Sequence, residues 1–256
     1  MSKPKKHFGQ HFLASEGIID RIVRAIDPKP GDCMVEIGPG QGAITLPLLR
    51  RLGELTVVEL DRDLVGPLAE AARMHGTLAV IQADVLTVDF TAIAAGRPLR
   101  LVGNLPYNIS SPILFHALDH ARSIADMHFM LQKEVVDRMA AAPGSKVYGR
   151  LSVMLQAYCR VQALFDVPPG AFRPPPKVDS AVVRLLPRPR DEAGIADHAR
   201  FAAVVKAAFA QRRKTLRNAL SALATGDDLR AAGIDPGARA ETIPVPAFVA
   251  LANQLA

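Results

Sequence analysis

Short apolar runs that alternate with helical patterns are the feature that most constrains the fold of this chain. Five such runs cross the first two thirds of the sequence, at Met34–Ile37, Leu55–Glu59, Leu78–Gln82, Leu101–Gly103 and Met127–Leu131. Continuous apolar runs of this length are typical of parallel strands buried on both faces. Helical patterns such as Leu64–Met74 and Pro112–Ala121 lie between them. The alternation predicts an α/β fold with a doubly wound, Rossmann-like sheet.

The pattern changes in the last third of the chain. Two extended runs, Ala163–Val167 and Ala181–Leu186, flank a proline-rich loop, and they predict an antiparallel strand pair at the end of the sheet. Beyond them the sequence is alanine-rich and helix-like, without strand signals. We therefore expect a sheet domain at residues 1–187, a linker at 188–197 and a small all-α domain at 198–256.

A glycine-rich turn follows the first apolar run and indicates a nucleotide-like ligand. Gly38 and Gly40 allow a tight turn and a close approach of the ligand to the backbone. Glu59 stands 21 residues after Gly38, at the end of the second run, where a carboxylate can accept hydrogen bonds from ribose hydroxyls. Asp84, at the end of the third run, can accept one from an adenine amine.

Two cofactors are compatible with this turn. Gly38, Gly40 and Ala43 also match the fingerprint of NAD-binding proteins. However, Pro39 removes a backbone N–H that a pyrophosphate would use, and S-adenosyl-L-methionine carries no phosphate. The pair of carboxylates therefore favours S-adenosyl-L-methionine as the cofactor.

The tetrapeptide Asn104-Leu105-Pro106-Tyr107 follows the fourth apolar run and indicates the reaction. The side-chain oxygen of Asn104 can accept one hydrogen of an amine, and Pro106 favours an extended Leu105 whose carbonyl can accept the second. Tyr107 can stack on a flat base. An adenine amine needs alignment and acceptors rather than a general base, since its proton can leave after the transfer. The site is therefore predicted to methylate an adenine amine.

The charge distribution indicates a polyanionic partner. The formal net charge is +6, and four cations cluster near the C-terminus at Arg212, Arg213, Lys214 and Arg217. No acidic residue lies between Arg200 and Asp227, so we expect these cations to contact RNA phosphates.

The remaining composition excludes several classes of protein. No apolar run approaches the ~20 residues of a membrane span, and the N-terminal residues lack the apolar core of a signal peptide. The two cysteines, Cys33 and Cys159, have no metal-type spacing. We expect a cytoplasmic protein that uses no metal and has no membrane partner.

The motifs together resemble those of the ribosomal RNA adenine dimethyltransferases, in particular their bacterial small-subunit branch. The matching stretches span nearly the whole chain: Phe8–Gln10, Val35–Gly40, Val58–Asp61, Gly103–Ser110, Met130–Val136, Tyr148–Val153, Phe172 with Pro174–Ser180, and Gln211–Thr215. The glycine turn is shared by many methyltransferases, whereas the Pro-Pro-Pro-Lys-Val-Asp-Ser stretch is far more specific.

The resemblance implies a function, a substrate and a set of contacts. It implies dimethylation of two adjacent adenines in a terminal hairpin of small-subunit ribosomal RNA, within a nearly assembled subunit, and a role in subunit biogenesis. A monomer is expected. Cofactor contacts are implied at His11, Leu13, Gly38, Glu59, Asp84 and Asn104, in addition to Gly40 from the glycine turn. It further suggests that Phe172 helps to hold the flipped target base. The alternative is that Phe172 is an apolar side chain packed under the proline-rich loop. One departure stands out, because the family often has asparagine at the position of His11.

Three rival functions share part of this pattern. A DNA adenine methyltransferase would use the same chemistry, but its motif usually has an acid or a second proline where Asn104 and Leu105 stand. An NAD-dependent oxidoreductase would need a hydride-partner acid or base, which the motifs do not provide. A non-catalytic ribosome assembly factor would bind the same subunit without transferring a methyl group.

Overall fold

The structure, a computed structural model, describes residues 11–189, 192, 194–211 and 213–256. The chain divides into two units. The first unit contains Met1–Val136 and Gln162–Pro187, and the second contains Asp137–Val161 and Arg188–Ala256.

A seven-stranded sheet forms the centre of the first unit. Its strands are β2 (Cys33–Ile37), β3 (Glu54–Glu59), β4 (Thr77–Gln82), β5 (Leu99–Asn104), β6 (Ile124–Gln132), β7 (Cys159–Val167) and β9 (Ser180–Pro187). Their order is β4-β3-β2-β5-β6-β9-β7. The pairs from β4 to β6 are parallel, and β9 is antiparallel to β6. The strand order reverses between β2 and β5, which is where doubly wound sheets bind ligands.

Gly103 of β5 lies directly against the backbone of β2. Ile37 pairs with Gly103, and a Cβ on Gly103 would lie 2.5 Å from the carbonyl oxygen of Ile37. Only glycine fits there, so the carboxyl ends of these two central strands meet without a side chain between them.

Helices connect the strands and flank the sheet. They are α1 (Glu16–Ile26), α2 (Thr45–Leu52), α3 (Arg62–Ala72), α4 (Phe90–Ala94) and α5 (Ser110–Asp119), whereas α6 (Lys133–Met139) begins in the first unit and ends in the second. Helix α1 shows how they pack: Ile22, Val23 and Ile26 lie on one face and are buried in the same core as Val57 and Val102 of the sheet. The burial of this apolar stripe holds the helix on the sheet.

A second, two-stranded sheet joins distant parts of the first unit. Strand β1 (Phe12–Leu13) is antiparallel to β8 (Phe172–Arg173), with Leu13 opposite Phe172. The backbone N–H groups of Ala14 and Ser15 also donate to the carbonyl of Ala171. These contacts fix the chain just before α1 beside the proline-rich loop.

The second unit is helical. Its helices are α7 (Arg150–Tyr158), α8 (His198–Ala210), α9 (Leu216–Ala219), α10 (Gly226–Ala231) and α11 (Val245–Gln254). Phe201 of α8 and Phe248 of α11 are fully buried. Tyr148 donates from its hydroxyl to the carbonyl of Ile243 at 2.9 Å. Aromatic packing and this buried bond stabilise the unit.

The predicted fold class is confirmed: each apolar run forms a strand, and the two later runs extend the sheet beyond β6. The domain boundaries need a correction, because Asp137–Val161 belongs to the helical unit rather than to the sheet domain. Helix α7 buries Val153 and Leu155, and it packs against α8 and α11, far along the chain. In the described parts of the chain, no helix is long and apolar enough to cross a bilayer.

Candidate active site

A cavity of about 300 Å³ lies at the carboxyl ends of the central parallel strands in the first unit. The predicted cofactor and catalytic residues come together in its wall: His11, Leu13, Gly38, Gly40, Glu59, Asp84, Asn104, Leu105, Pro106 and Tyr107. They are separated by up to 96 positions in sequence, from His11 to Tyr107, yet they line one cavity. Parallel strands produce this result because all their carboxyl ends point to the same edge of the sheet.

The glycine turn after β2 forms the floor of the cavity. Gly38 has φ 65° and Gly40 has φ 57°, a left-handed conformation that side chains rarely adopt. A Cβ on Gly40 would lie 3.2 Å from the ring of Phe12. The backbone conformation therefore favours glycine at this position, and a Cβ there would also force the Phe12 ring to shift by a few tenths of an ångström.

Glu59 ends β3 with its carboxylate anchored to the backbone. Its Oε1 accepts from the N–H of Asp61 at 2.8 Å, and its Oε2 accepts from the N–H of Gly40 at 3.3 Å. The side chain is buried, and burial raises its pKa above the usual value. Each carboxylate oxygen has a second lone pair, so the anchored group can still accept hydrogen bonds from a ligand.

Glu36 is a cavity residue that the sequence reasoning missed. It lies in β2, is 1% exposed, and its Oε2 has no hydrogen-bond partner. Burial, with a further contribution from the nearby Glu59 carboxylate, raises the pKa of Glu36 to about 7. The signal was present, because an acid within an apolar strand buried on both faces is costly unless a ligand or partner uses it.

Asp84 and two leucines border the cavity near β3 and β4. Asp84 is exposed, and its Oδ1 accepts from the N–H of Leu86 at 3.0 Å. Leu60 and Leu86 also line the cavity and are 51% and 37% exposed. Two exposed apolar side chains beside a carboxylate offer a flat ring both a hydrophobic contact and a hydrogen-bond acceptor.

The tetrapeptide 104–107 forms the wall next to the glycine turn. Asn104 ends β5, and its Nδ2 donates to the carbonyl of His11 at 3.2 Å. Because a carbonyl can only accept, this bond fixes the amide nitrogen there and leaves Oδ1 as the end that can accept from a ligand. The N–H of Leu105 donates to the carbonyl of Met130 at 3.0 Å, which ties the tetrapeptide to β6.

Tyr107 is half-buried and held by two neighbours. A hydrogen bond of 2.7 Å joins its hydroxyl to Oγ of Ser180. Its ring stacks on the imidazole of His11, with ring centroids 5.8 Å apart and planes inclined by 25°. Burial raises the pKa of Tyr107 above its usual value, so the hydroxyl stays neutral at physiological pH.

The structure buries Phe172, for which the resemblance implies a contact with the target base. The side chain is fully buried in the core cluster that includes Leu13, its cross-strand partner. It is not part of the cavity wall. Pairing of β8 with β1 turns this residue into the core, so in this structure it offers no surface on which a base could stack.

The basic run lies in the second unit and does not form one helix face. Helix α8 ends at Ala210 and α9 begins at Leu216, so Arg213 and Lys214 lie in the turn between them and Arg217 lies in α9. All three are exposed. Arg212 lies outside the described residues. The turn arises because the backbone N–H groups of Leu216 and Arg217 bond to the carbonyls of residues 238 and 236.

Two further findings concern the metal-ligating side chains and the cysteines of the described residues. No group of three or more His, Cys, Asp or Glu side chains is arranged to hold a metal ion. Both cysteines are unpaired and buried.

Comparison with known proteins assigns the family. The family model "Ribosomal RNA adenine dimethylase" matches residues 1–256. A relative from Xanthomonas campestris, named ribosomal RNA small subunit methyltransferase A, is 70% identical over 97% of this chain and 95% of its own length.

Solved structures agree with that assignment over almost the whole chain. A dimethyladenosine transferase from Plasmodium falciparum is similar with a TM-score of 0.83 and 25% identity, covering 94% of this chain and 96% of that one. The 23S rRNA methyltransferase ErmE is similar with a TM-score of 0.75 and 26% identity, covering 95% and 99%. The resemblance predicted from the sequence is confirmed, and the chain belongs to the ribosomal RNA adenine dimethylase family.

Proposed function

We propose that this protein transfers methyl groups from S-adenosyl-L-methionine to the exocyclic amine of two adjacent adenines in a terminal hairpin of small-subunit ribosomal RNA. The observation that carries the proposal is the single cavity that places the tetrapeptide 104–107 beside the glycine turn and Glu59. The small-subunit substrate is supported by a relative at 70% identity that is named for it, against 26% for the 23S rRNA methyltransferase.

The charge of the cavity supports S-adenosyl-L-methionine over a dinucleotide. Four carboxylates line it, those of Glu36, Glu59, Asp61 and Asp84, and none of the described lining residues is lysine or arginine. A pyrophosphate would be repelled by this set, whereas a ligand with a sulfonium and an ammonium group is attracted. The unpartnered Oε2 of Glu36 is an orphaned buried acceptor that a cationic ligand would satisfy.

The residues around the cavity fit the other parts of this cofactor. Glu59 would accept hydrogen bonds from the ribose hydroxyls, Leu60 and Leu86 would pack on the adenine, and Asp84 would accept a hydrogen bond from its amine. When bound, the cofactor supplies a methyl group on a positively charged sulfur, which is already a good electrophile. The catalytic residues therefore need only to bring the acceptor amine into line with it.

The tetrapeptide supplies that alignment. Asn104 Oδ1 and the carbonyl of Leu105 accept the two hydrogens of the adenine amine, which favours a more tetrahedral nitrogen with an available lone pair. Tyr107 stacks on the base and fixes its plane. No base removes a proton before the transfer; the proton leaves the methylated nitrogen afterwards.

The second unit contributes to RNA binding. Arg213, Lys214 and Arg217 are exposed, and we propose that they and Arg212 contact RNA phosphates. The net charge of +6 supports a polyanionic partner. A substrate within the small subunit implies a cytoplasmic protein with a role in subunit biogenesis, and we propose that it acts as a monomer on nearly assembled subunits.

The decisive experiment uses small subunits that lack the modification. They are incubated with the protein and methyl-labelled S-adenosyl-L-methionine, and the RNA is then digested to nucleosides. We expect label in dimethyladenosine at two adjacent positions. Absence of label, or label in another nucleoside, would contradict the proposal, and binding of subunits without any transfer would support an assembly factor.

A further inference from the structure

Both ends of the proline-rich loop between β8 and β9 contact the ring pair at the cavity. At one end, Nδ1 of His11 donates to the carbonyl of Pro174 at 2.9 Å. At the other end, Ser180 bonds to the Tyr107 hydroxyl at 2.7 Å. The loop carries the Pro-Pro-Pro-Lys-Val-Asp-Ser stretch, for which the proposed reaction has so far supplied no role.

Ser180 is a rigid anchor. It is fully buried, begins β9, and pairs with Gln132 of β6. The adjacent carbonyl of Asp179 accepts a hydrogen bond from the N–H of Lys133 at 2.9 Å, which fixes this end of the loop to the residue that follows β6. A hydroxyl in this position has little freedom to move, and a group bonded to it is held in place.

Tyr107 is therefore fixed at three points. The rigid Pro106 precedes it in the chain, the His11 imidazole stacks on its ring, and Ser180 holds its hydroxyl at the far end. Tyr107 also lines the cavity, where a flat base could lie against its ring. A ring fixed at both ends keeps the stacked base at one angle to the methyl donor, and reaction rates depend strongly on such angles.

We propose that Ser180 is a positioning residue, which acts through the Tyr107 hydroxyl to set the plane of the target adenine. The inference rests on the proposed function, because it takes Tyr107 as the surface on which the adenine stacks. Ser180 itself touches neither the adenine nor the cofactor. Its effect therefore has to pass through one hydrogen bond, and this makes a double-mutant cycle decisive.

The cycle compares Ser180→Ala, Tyr107→Phe and the double variant in single-turnover methylation of unmethylated small subunits. Each single variant is expected to lower the rate about fivefold to tenfold, the effect of one lost hydrogen bond. The double variant should match the single ones rather than multiply them. Affinities for subunits and for S-adenosyl-L-methionine, measured by filter binding and calorimetry, should stay within about twofold. Tyr158→Phe, which removes a hydroxyl bonded to His198 in the second unit, is the matched control and should keep the wild-type rate.

A second readout is independent of activity. The chain has three tyrosines, so protein labelled with ¹³C at tyrosine Cζ gives three resonances. Ser180→Ala should move the Tyr107 resonance, and Tyr158→Phe should leave it in place. If wild-type protein methylates no subunits, the proposed function fails, whereas this resonance still tests the hydrogen bond between Ser180 and Tyr107.

Three results would overturn the positioning role. They are an unmoved Tyr107 resonance in Ser180→Ala, a wild-type rate in Tyr107→Phe, and single effects that multiply in the double variant. If Ser180→Ala does not fold, Tyr107→Phe keeps the ring and its volume and decides the question through its rate.

Discussion

Replacement of Glu36 by glutamine should make the free protein more stable at neutral and alkaline pH. The wild-type carboxyl group is 1% exposed, with one oxygen that has no hydrogen-bond partner. Its ionised form is therefore poorly solvated in the folded state, and the nearby Glu59 carboxylate adds repulsion. Glutamine has nearly the same shape and carries no charge.

The expected size follows from the pKa of the group. It rises from 4.5 to about 7 on folding. Between these values the folded state holds a proton that the unfolded state has lost, so this group's contribution to stability falls as pH increases. Each pKa unit corresponds to about 1.4 kcal/mol, which gives a total of about 3 kcal/mol above pH 7. Below pH 4.5 the Glu36 carboxyl group is protonated in both the folded and the unfolded state, so the loss of stability does not occur there.

Urea denaturation followed by circular dichroism at several pH values between 5 and 8 measures this effect. The free energy of unfolding of Glu36→Gln minus that of wild type should grow by about 1.4 kcal/mol per pH unit up to pH 7, and then level off. Glu54→Gln, at an exposed position at the start of β3, is the matched control and should show no such trend. The reasoning is refuted if the Glu36 difference is independent of pH, or if Glu36→Gln is less stable than wild type at pH 8.

A bound cationic ligand should reduce the destabilising effect of the ionised Glu36 carboxylate on the folded protein. S-adenosyl-L-methionine brings positive charge close to Glu36 and favours its ionised form, so saturating cofactor should stabilise wild type more than Glu36→Gln. An acid that destabilises the free protein would then contribute to cofactor affinity, a trade-off that is common at binding sites. Equal stabilisation of both proteins by the cofactor would show that the positive charge of the cofactor does not interact with Glu36.

Three further predictions concern the proposed function. Glu59→Ala should weaken S-adenosyl-L-methionine binding by roughly 1.5–3 kcal/mol in calorimetry, because a charged acceptor is lost; tight NAD binding without any response to the methyl donor would reverse the cofactor assignment. Asn104→Ala should lower the single-turnover rate at saturating RNA and cofactor by about 10²-fold, as expected for a lost transition-state acceptor, and a wild-type rate would exclude that role. Replacement of Arg213, Lys214 and Arg217 by glutamine should weaken subunit binding and flatten its salt dependence by about one unit per lost phosphate contact, with cofactor affinity unchanged; an unchanged salt slope would mean that the RNA-binding surface lies elsewhere.

The strands and the cavity residues at their ends could be predicted because the relevant signals are local. A parallel strand buried on both faces leaves a continuous apolar run, and the residue that ends such a run lies at the ligand-binding edge of the sheet. Glu59, Asp84 and Asn104 were located in this way. Glu36 lies inside a run rather than at its end, so the rule that places strand-end residues at the cavity did not apply to it, and only its charge within an apolar strand indicated a role.

Features that depend on partners distant in the sequence could not be predicted. Strands β1 and β8 have two residues each, too short for any periodicity, and they exist because they pair with each other. That pairing buries Phe172, for which the family resemblance implies a contact with the target base. Likewise, Asp137–Val161 carries no signal for the unit it joins, because helix α7 packs against helices that come later in the chain.

The sequence by itself determined the fold class, the family and the chemical groups of the site, since these follow from periodicity and from short motifs. Only the tertiary structure decided how those groups are held. The hydrogen bond between Ser180 and Tyr107 joins residues 73 positions apart in the sequence. The stacking of His11 on the Tyr107 ring joins residues 96 positions apart. Hydrogen bonds and ring contacts between such distant residues depend on the packed geometry of the whole unit, which no local pattern in the chain encodes.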